Sequence, residues 1–390
     1  MGINMIADPI LNLFSLCTNL ENCSLLSRQI VDAAGCVENW NGIPAMAEKH
    51  GMAPLLKLNL SRYGVTIPIH VRRDLGALGL RHQLINQVRM RMLSEIIPIF
   101  QTANIPIRVL KGAALAQILY PDISLRPMSD IDLLIRKEDT HKVWDVFHSC
   151  GYQNGYEKPE QKNMHHLPGF IRQMDGFTLI IEVHHHLLRD STKHPQVTME
   201  NLCFPPMSFS ISPDTQAYTL APEDMLYHLC RHAFFDNHAL EHFRMIWVAD
   251  ILNMAEKFIH KIDWNALQEC YPLVTHTLTF LNEIRPLSED LIAAANIKFQ
   301  RKYSTQISPY QGWPGVSLVV AKQTGIMNWM HATIFPSTWW LRIRYKTGKV
   351  MPLWICWLQH IFILFTEGVR RVFLHIKRLI TRCQTKRRIY

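Results

Sequence analysis

The ten residues Arg126-Pro-Met-Ser-Asp-Ile-Asp-Leu-Leu-Ile135 predict a short strand that follows a polar, proline-containing loop. Side chains alternate between the two faces of a strand, so Asp130 and Asp132 are expected on one face, with their apolar neighbours towards the core. Two carboxylates held side by side repel each other, and a cation relieves that repulsion. Mg²⁺ binds one or two carboxylates together with substrate phosphates, so the pair suits a metal site. Taken alone, the same pattern is common on a solvated strand edge, and the metal-site interpretation depends on the segments around it.

A second strand, predicted over Phe177–His184, supplies a third acid. By the same alternation Glu182 and His184 share one face. If the strands 131–135 and 177–184 pair, Glu182 lies beside the two aspartates. Three convergent carboxylates can hold two metal ions about 3.5–4 Å apart for an in-line phosphoryl displacement. For His184 two interpretations stay open: a polar rim of this site or an ordinary surface position.

Upstream, the segment Val109-Leu-Lys-Gly-Ala-Ala114 is predicted to end a strand and begin a helix. A glycine at such a turn lets a phosphate approach the backbone, and the first turn of the helix offers free N–H groups. Lys111, next to Gly112, would add a positive charge at the phosphates. The segment is not a P-loop, because the chain contains no G-x-x-x-x-G-K-[ST] pattern.

These segments, in this order, resemble the uncharacterised nucleotidyltransferase family of the DNA polymerase β-like nucleotidyltransferase superfamily. The resemblance extends over about residues 40–255, and its most specific part is 110–135. The matching segments are LKGAAL (110–115), LYPD (119–122), LRPMSDIDLLI (125–135), HHLPGF (165–170), IEVHHHL (181–187), LYHLCRHAF (226–234) and FRMIWVADI (243–251).

The resemblance implies a Mg²⁺-dependent enzyme that transfers a nucleoside monophosphate from an NTP to a hydroxyl or phosphate of an unidentified acceptor. On this basis Asp130, Asp132 and Glu182 are expected to hold two metal ions, and Glu182 is also the candidate base for the acceptor hydroxyl. Lys111 and Gly112 are expected to lie at the triphosphate.

One departure from the superfamily concerns the turn, which usually reads Gly-Ser and places the serine hydroxyl on a phosphate. This chain has Gly112-Ala113, so that contact is missing. Lys111, Arg126 or Ser129 is the expected substitute. Because of this departure, an alternative function stays open. In it the protein is a catalytically weak or inactive relative that acts as a binding partner, and the membrane surface is one location where it could act.

The predicted fold class is α+β, a small mixed β-sheet nucleotidyltransferase core with its own helices between helical regions. The predicted regions are an N-terminal helical region (1–103), the core (104–205), a helical domain (206–335) and a basic amphipathic tail (336–390). A long amphipathic helix is expected from Arg72 to about Ala103, and residues 152–176 are expected to be rich in loops. After Pro205 the chain is expected to be helical. The predicted helices there cover 222–235, 240–258, 264–271 and 287–302.

Two histidine pairs, His228/His232 and His238/His242, have the i,i+4 spacing of zinc ligands. Neither pair forms an H-E-x-x-H pattern, and the sequence does not favour zinc. His232 and Arg244 match family positions, either as lining of the pocket or as hydrogen-bonding ties between the helical region and the core. Asp250 is a candidate partner for Arg244.

Charge is distributed unevenly along the 390 residues, whose 41 Lys+Arg and 32 Asp+Glu give a net charge of +9. Residues 336–390 hold 12 of the basic residues and a single acid, Glu367, which leaves 29 basic and 31 acidic residues in the rest of the chain. A near-neutral body argues against a polymerase or another nucleic-acid-binding fold. Nine scattered cysteines with no C-x-x-C pair, and no signal-peptide pattern, predict reduced thiols in the cytoplasm.

The tail combines an apolar segment with a basic one. Residues 350–365 are apolar except for Gln359 and His360, but they are fewer than the ~20 needed to span a bilayer. From Val369 onward, apolar and basic residues separate onto opposite faces of a predicted helix. This pattern suits docking on an anionic membrane surface, at the inner face of the membrane, and it suits equally well a helix packed on the protein's own body with a solvated basic face. RNA, an acidic partner, or packing of the helix on the protein's own body are the alternatives.

Overall fold

A mixed four-stranded sheet forms the core of the computed structural model, which describes residues 8–154, 167–187, 197–235, 244–298, 326–345 and 352–366. Its strands are Ile107–Val109 (β1), Ile131–Ile135 (β2), Phe170–Met174 (β3) and Phe177–His184 (β4). Their order is β1-β2-β4-β3, with β2 and β4 parallel and the two outer pairs antiparallel. All five residues of β2 are buried, as expected for an inner strand, and Asp132 is the one polar residue among them.

Helices precede and follow the strands of this sheet along the chain, so the predicted α+β class is confirmed. Those that precede β2 are Pro9–Leu16 (α1), Ser24–Gly35 (α2), Ile43–Lys49 (α3), Ala53–Arg62 (α4), Ile69–Thr102 (α5) and Lys111–Ile118 (α6). Those that follow it are Thr140–Ser149 (α7), Pro222–Phe234 (α8), Met245–Lys257 (α9), Trp264–Cys270 (α10), Pro272–Leu281 (α11) and Glu289–Ala294 (α12).

The long helix α5 has the length that its sequence predicts, and it holds the loop in front of β2. Asn86 donates hydrogen bonds to the carbonyl oxygens of Ile123 (2.8 Å) and Arg126 (3.0 Å). Arg89 donates to the carbonyl oxygen of Ser129 (2.8 Å) and to the Asn86 side chain (3.2 Å). Both side chains are buried, so the path of residues 123–129 is set by polar groups on the core-facing side of α5.

The chain divides into two compact units, the first of which contains the described residues up to 298. Within it the first helices pack on the later ones. Asn253 of α9 donates to the carbonyl oxygen of Thr18 (2.7 Å), and Ser15 donates to that of Ile284 (2.6 Å). The N-terminal and later helical regions are thus joined by buried hydrogen bonds within one unit, while the division into four regions stays a prediction.

Strand β3 lies in the segment expected to be rich in loops, so that expectation is wrong for residues 170–174. The sequence feature that indicates β3 is the turn Asp175-Gly176, where both residues have positive φ (49° and 79°). An Asp-Gly pair with positive φ at both positions joins two strands in a tight hairpin, because its twist matches that of the strands. The pairing of Met174 with Phe177 closes this hairpin.

A second hairpin, Met207–Ser212 (β5) with Thr215–Thr219 (β6), lies where only helices were expected. Buried and exposed residues alternate along β6, as period two requires. The Thr219 hydroxyl donates to the carbonyl oxygen of Val109 (2.6 Å), which ties the hairpin to β1. Helix α11 was also not predicted, and α12 is shorter than the expected helix over 287–302.

The second unit contains the helices Ile326–Ile334 (α13) and Thr338–Tyr345 (α14) and a helix over residues 353–366 (α15). Trp339 and Trp340 are buried in it, and His360 contacts the Tyr345 hydroxyl (3.0 Å) and the carbonyl oxygen of Thr333 (2.7 Å). Among the described helices, none is both long and apolar enough to cross a membrane. The amphipathic helix predicted from Val369 lies outside the described residues.

Among the described residues no two cysteines form a disulfide; these cysteines are Cys17, Cys23, Cys36, Cys150, Cys203, Cys230, Cys270 and Cys356.

Candidate functional site

Strands β2 and β4 bring three predicted side chains together. They pair in parallel with Asp132 opposite Glu182 and Leu134 opposite His184. One ligand atom each from Asp132, Glu182 and His184 lies within 4.8 Å of the others. His184 Nε2 is 2.9 Å from Asp132 Oδ1 and 3.7 Å from Glu182 Oε2. The pairing expected from the sequence is therefore present, and it gathers two carboxylates and an imidazole.

The opposite faces of the same strands fix this cluster in place. Ile131, Leu133, Ile181 and Val183 have no exposed surface, so the backbone that carries the polar residues is anchored in the core. Asp132 and His184 are themselves almost fully buried, whereas 35% of the Glu182 side chain is exposed. Glu182 is thus the member of the cluster that a solvent-side molecule can reach.

Asp130 lies one residue before β2 and is half-buried. Burial, together with the negative charges of Asp132 and Glu182, raises the pKa of Asp130 to about 6. Burial acts on Asp132 in the same direction, but the charge of Lys111 and the contact with His184 outweigh it and hold the pKa of Asp132 well below its usual range. The pKa values of Asp130 and Asp132 are therefore shifted in opposite directions, a common feature of functional sites.

Lys111 is the first residue of α6 and supplies the opposing charge. Its Nζ lies 3.4 Å from Asp132 Oδ1. Burial alone would lower the pKa of Lys111, but Asp132, Asp130 and Glu182 together raise it, so the ammonium stays charged. Its backbone has φ 38°, a left-handed conformation that is strained for a lysine. Such strain is often found at functional positions.

Gly112 follows in a place where a side chain does not fit. A Cβ at this position would lie 3.1 Å from Met128 Cβ and 3.4 Å from Arg126 Nη1. The loop before β2 therefore passes directly over the first turn of α6. Ala113, which stands where the superfamily usually has serine, is buried with 1% of its surface exposed.

Arg126 is bound to the helical region. Its Nε donates to both carboxylate oxygens of Asp250 at 3.0 Å, and its Nη2 donates to Oδ2 at 2.7 Å. The Tyr120 hydroxyl donates to Oδ1 of the same carboxylate at 2.7 Å. Burial would lower the pKa of Arg126, but the charge of Asp250 outweighs it and raises the pKa. Asp250, considered as a partner for Arg244 on sequence grounds, is the partner of Arg126 and Tyr120.

Ser129, the remaining predicted phosphate contact, is exposed and directly precedes Asp130. Arg244, just before α9, has no carboxylate within 4.0 Å among the described residues. The Nε atom of Arg244 is buried and makes no hydrogen bond to the described residues. Burial lowers the pKa of Arg244, and it outweighs the negative charges of Asp250, Glu48 and Asp130, which raise that pKa.

Of the two histidine pairs, His238/His242 lies outside the described residues. His228 is fully buried, and neither of its ring nitrogens makes a hydrogen bond to the described residues. Burial lowers its pKa well below the usual value. His232 packs edge-on against Trp247, with 5.7 Å between the ring centroids. Neither histidine belongs to the described cluster of Asp132, Glu182 and His184.

Sequence reasoning missed the polar residues of α5 that shape the site. His82, Asn86, Arg89 and Leu93 are buried and recur at three- and four-residue steps, so polar side chains lie on the core-facing stripe of this helix. Polar residues at apolar positions of a periodic pattern are the signal that could have identified Asn86 and Arg89.

Comparison with known proteins places these features in a family. Residues 37–271 match the family model described as "Uncharacterised nucleotidyltransferase". Among the curated proteins none matches this chain. The chain is similar to the crystal structure of an antigenic nucleotidyltransferase-like protein from Paracoccidioides brasiliensis, with 17% identity and a TM-score of 0.36 over 55% of this chain and 94% of that one.

Two further similar structures are of the antibiotic-resistance factor ANT(2'')-Ia. The solution structure has 13% identity and a TM-score of 0.32 over 48% of this chain and 92% of that one. The crystal structure in complex with adenylyl-2''-tobramycin has 12% identity and a TM-score of 0.33 over 47% and 98%. The family match, which covers more than half of the chain and includes all the residues of the cluster, is the stronger finding, and by it this chain belongs to the uncharacterised nucleotidyltransferase family.

Proposed function

We propose that the protein transfers a nucleoside monophosphate from an NTP to a hydroxyl or phosphate of an acceptor, with Mg²⁺ as a required ion. The observation that supports this most directly is the pairing of Asp132 with Glu182 at one register position of two parallel strands, next to Asp130. Hard carboxylate oxygens gathered on a rigid sheet are the donors that Mg²⁺ prefers, so the residues fit the ion.

Asp130, Asp132 and Glu182 are the carboxylates that would hold two such ions. Bound there, the ions would neutralise charge on the phosphates and orient them. In the transfer, the acceptor oxygen forms a bond to the α-phosphorus, the bond from that phosphorus to the bridging oxygen breaks, and pyrophosphate leaves. Because Glu182 is the partly exposed carboxylate, it is the candidate to accept the proton of the acceptor hydroxyl.

The phosphates of the NTP need positively charged groups from the protein. The contacts that each predicted side chain already makes decide whether it is available for this role. Arg126 is committed to Asp250, so we assign to it the positioning of residues 126–130, and Ser129 is an exposed neighbour of Asp130. Lys111 and the backbone of Gly112 remain candidates at the phosphates. Arg244 joins them, because its guanidinium has no carboxylate within 4.0 Å among the described residues yet interacts electrostatically with Asp130.

Pyrophosphate release tests this function. Full-length protein would be incubated with each NTP, Mg²⁺ and a panel of hydroxyl and phosphate acceptors, beside Asp132→Asn and, as the matched control, Asp145→Asn, which alters an exposed acid of α7. We expect release with the wild type and Asp145→Asn and a loss of 100-fold or more in Asp132→Asn. Metal-dependent NTP binding without release would instead support the alternative of a catalytically inactive relative.

A second activity, docking on an anionic membrane surface, is favoured by an exposed apolar stripe on α15. Trp354, Leu358, Phe362 and Phe365 are 63%, 51%, 68% and 70% exposed, and their spacing places them on one helical face. The sequence that follows is basic, with Arg370 and Arg371 first. Apolar and aromatic side chains next to basic ones match the interface of an anionic bilayer.

Vesicle flotation tests the docking. We expect full-length protein to float with vesicles that contain phosphatidylserine and not with purely zwitterionic ones. A double Phe362→Ser/Phe365→Ser variant should lose most of this binding, whereas Leu80→Ser, which removes an exposed leucine of α5, should keep it. Equal flotation of all three proteins would argue against the stripe, and retention of RNA or of an acidic protein instead would identify the other partners.

A further inference from the structure

The cluster on β2 and β4 contains a nitrogen donor that an all-oxygen magnesium site does not need. We propose that His184 is a direct ligand of one cation position, together with Asp132 and Glu182, and that this position takes a first-row transition-metal ion in preference to Mg²⁺. The inference rests on the proposed function only in assuming that the bound ion serves nucleotidyl transfer. What it adds is the class of metal, which the carboxylates alone do not determine.

The distances are those of neighbouring ligands around one ion. Bonds of about 2.1 Å at right angles place adjacent ligand atoms about 3 Å apart. His184 Nε2 lies 2.9 Å from Asp132 Oδ1 and 3.7 Å from Glu182 Oε2. The three atoms, which all lie within 4.8 Å of one another, are thus close to the spacing of ligands around one cation, and the pairing of the two strands holds their backbone in this register.

The burial of the histidine supports the same role. His184 is the last residue of β4, is 3% exposed, and directs Nε2 at the two carboxylates rather than at solvent. Without an ion, a proton between Nε2 and Asp132 makes a hydrogen bond. When an ion binds, that proton is released to solvent and the freed lone pair of Nε2 binds the metal, so the hydrogen bond and the metal bond use the same atom and exclude each other.

The chemistry of the donors determines the metal. Imidazole is a good ligand for first-row transition metals, whereas Mg²⁺ prefers oxygen ligands and is bound mainly by carboxylates and water. Asp130 lies outside the described cluster of Asp132, Glu182 and His184. A second ion held by Asp130 would therefore have only oxygen donors and would be Mg²⁺, while the cluster that contains His184 would take the transition metal.

Electron spin-echo spectroscopy with Mn²⁺ detects a nitrogen ligand directly, since ¹⁴N modulates the echo when it is bound to the ion. Full-length wild type, His184→Gln and His186→Gln would be compared, each loaded with one equivalent of Mn²⁺. His186 is the matched control, two residues away and in contact with His185. Titration calorimetry with Mn²⁺ and Mg²⁺ on the same proteins would give the affinities, and thermal unfolding in chelator would show that each variant is folded.

We expect ¹⁴N modulation in the wild type and in His186→Gln, and its loss in His184→Gln. Mn²⁺ affinity should fall roughly 10-fold or more in His184→Gln, with a smaller change for Mg²⁺. A His184→Asp variant, whose donors are all oxygen, should shift the preference towards Mg²⁺ and serves as the second test if His184→Gln does not fold.

Wild type without ¹⁴N modulation, or modulation that persists in His184→Gln, would overturn the inference and leave His184 as a hydrogen-bonding residue that positions Asp132. Failure of this inference is distinct from failure of the proposed function. Pyrophosphate release with no nitrogen ligand would overturn only the ligand assignment, whereas a nitrogen ligand without NTP binding would overturn only the function.

Discussion

The carboxylate of Asp250 accepts three hydrogen bonds from Arg126 at 2.7–3.0 Å, across 124 positions of sequence. The pair is buried, with 11% of the arginine side chain and none of the aspartate exposed. It joins the loop before β2 to helix α9, and so it fixes the loop that carries Asp130 against the helical region.

Loss of this ion pair should destabilise the protein. Removing one partner of a buried pair leaves an uncompensated charge and costs about 3–5 kcal/mol. We therefore expect Arg126→Met to lower the midpoint of urea unfolding clearly, measured by circular dichroism. The double variant Arg126→Met/Asp250→Leu should recover part of the loss. As a control, Arg172→Ala, which breaks a partly exposed pair with Glu95, should cost about 1 kcal/mol or less.

Stability of the cation-free protein should depend on pH through Asp130. Its pKa is about 6 in the folded protein against a usual value of 3.8. Between these values the folded protein binds more protons at this carboxyl than the unfolded chain, so its contribution to the free energy of unfolding falls as the pH rises through that window.

In chelator, Asp130→Asn should thus be more stable than the wild type at pH 7, by roughly 1–3 kcal/mol, and nearly equal to it at pH 4. Urea unfolding at the two pH values measures this difference, with Asp145→Asn as the exposed control. A difference that is the same at both pH values would contradict the ionisation of Asp130 as its cause.

The sequence was sufficient for the parts of the site that depend on local periodicity. The bounds of β2 and β4 agree with the prediction because both strands carry apolar residues on a face that the core must bury, and a shift of one residue would expose them. The same alternation placed Asp132 on one face with Asp130, and Glu182 on one face with His184. The register of Asp132 and Glu182 as partners also required the strands to be adjacent, which the family resemblance supplied.

What could not be predicted depends on contacts between distant residues. Nothing local marks Asp250 as the partner of Arg126 rather than of Arg244, since both arginines are compatible with a buried acid. The face of His184 followed from alternation, but its 2.9 Å contact with Asp132 depends on the pairing of β2 with β4. By contrast, β3 was missed although the turn Asp175-Gly176 was a local signal for a hairpin. For a short edge strand with polar residues, the turn residues are therefore better evidence than the composition of the strand itself.

Gly112→Ala should disturb the turn at α6. The added Cβ would lie 3.1 Å from Met128 Cβ, so the loop or the helix must shift by a few tenths of an ångström. We expect a loss of about 1–3 kcal/mol in unfolding free energy and weaker NTP binding. The control Gly76→Ala, in α5 with nothing within 4 Å, should stabilise the protein by about 0.5–1 kcal/mol. Equal effects of the two changes would contradict the close approach.

Arg244→Gln should separate nucleotide binding from stability. If the guanidinium binds phosphate, its loss removes charged hydrogen bonds worth about 1.5–3 kcal/mol, so the Kd for a non-hydrolysable NTP with Mg²⁺ should rise roughly 10- to 100-fold by titration calorimetry. Unfolding should change little, because no described carboxylate lies within 4.0 Å of Arg244 and so none is left uncompensated. The two variants should thus differ: Arg244→Gln mainly weakens NTP binding, whereas Arg126→Met mainly lowers the free energy of unfolding. A large loss of stability with unchanged NTP affinity would instead assign Arg244 to the packing between α9 and the core.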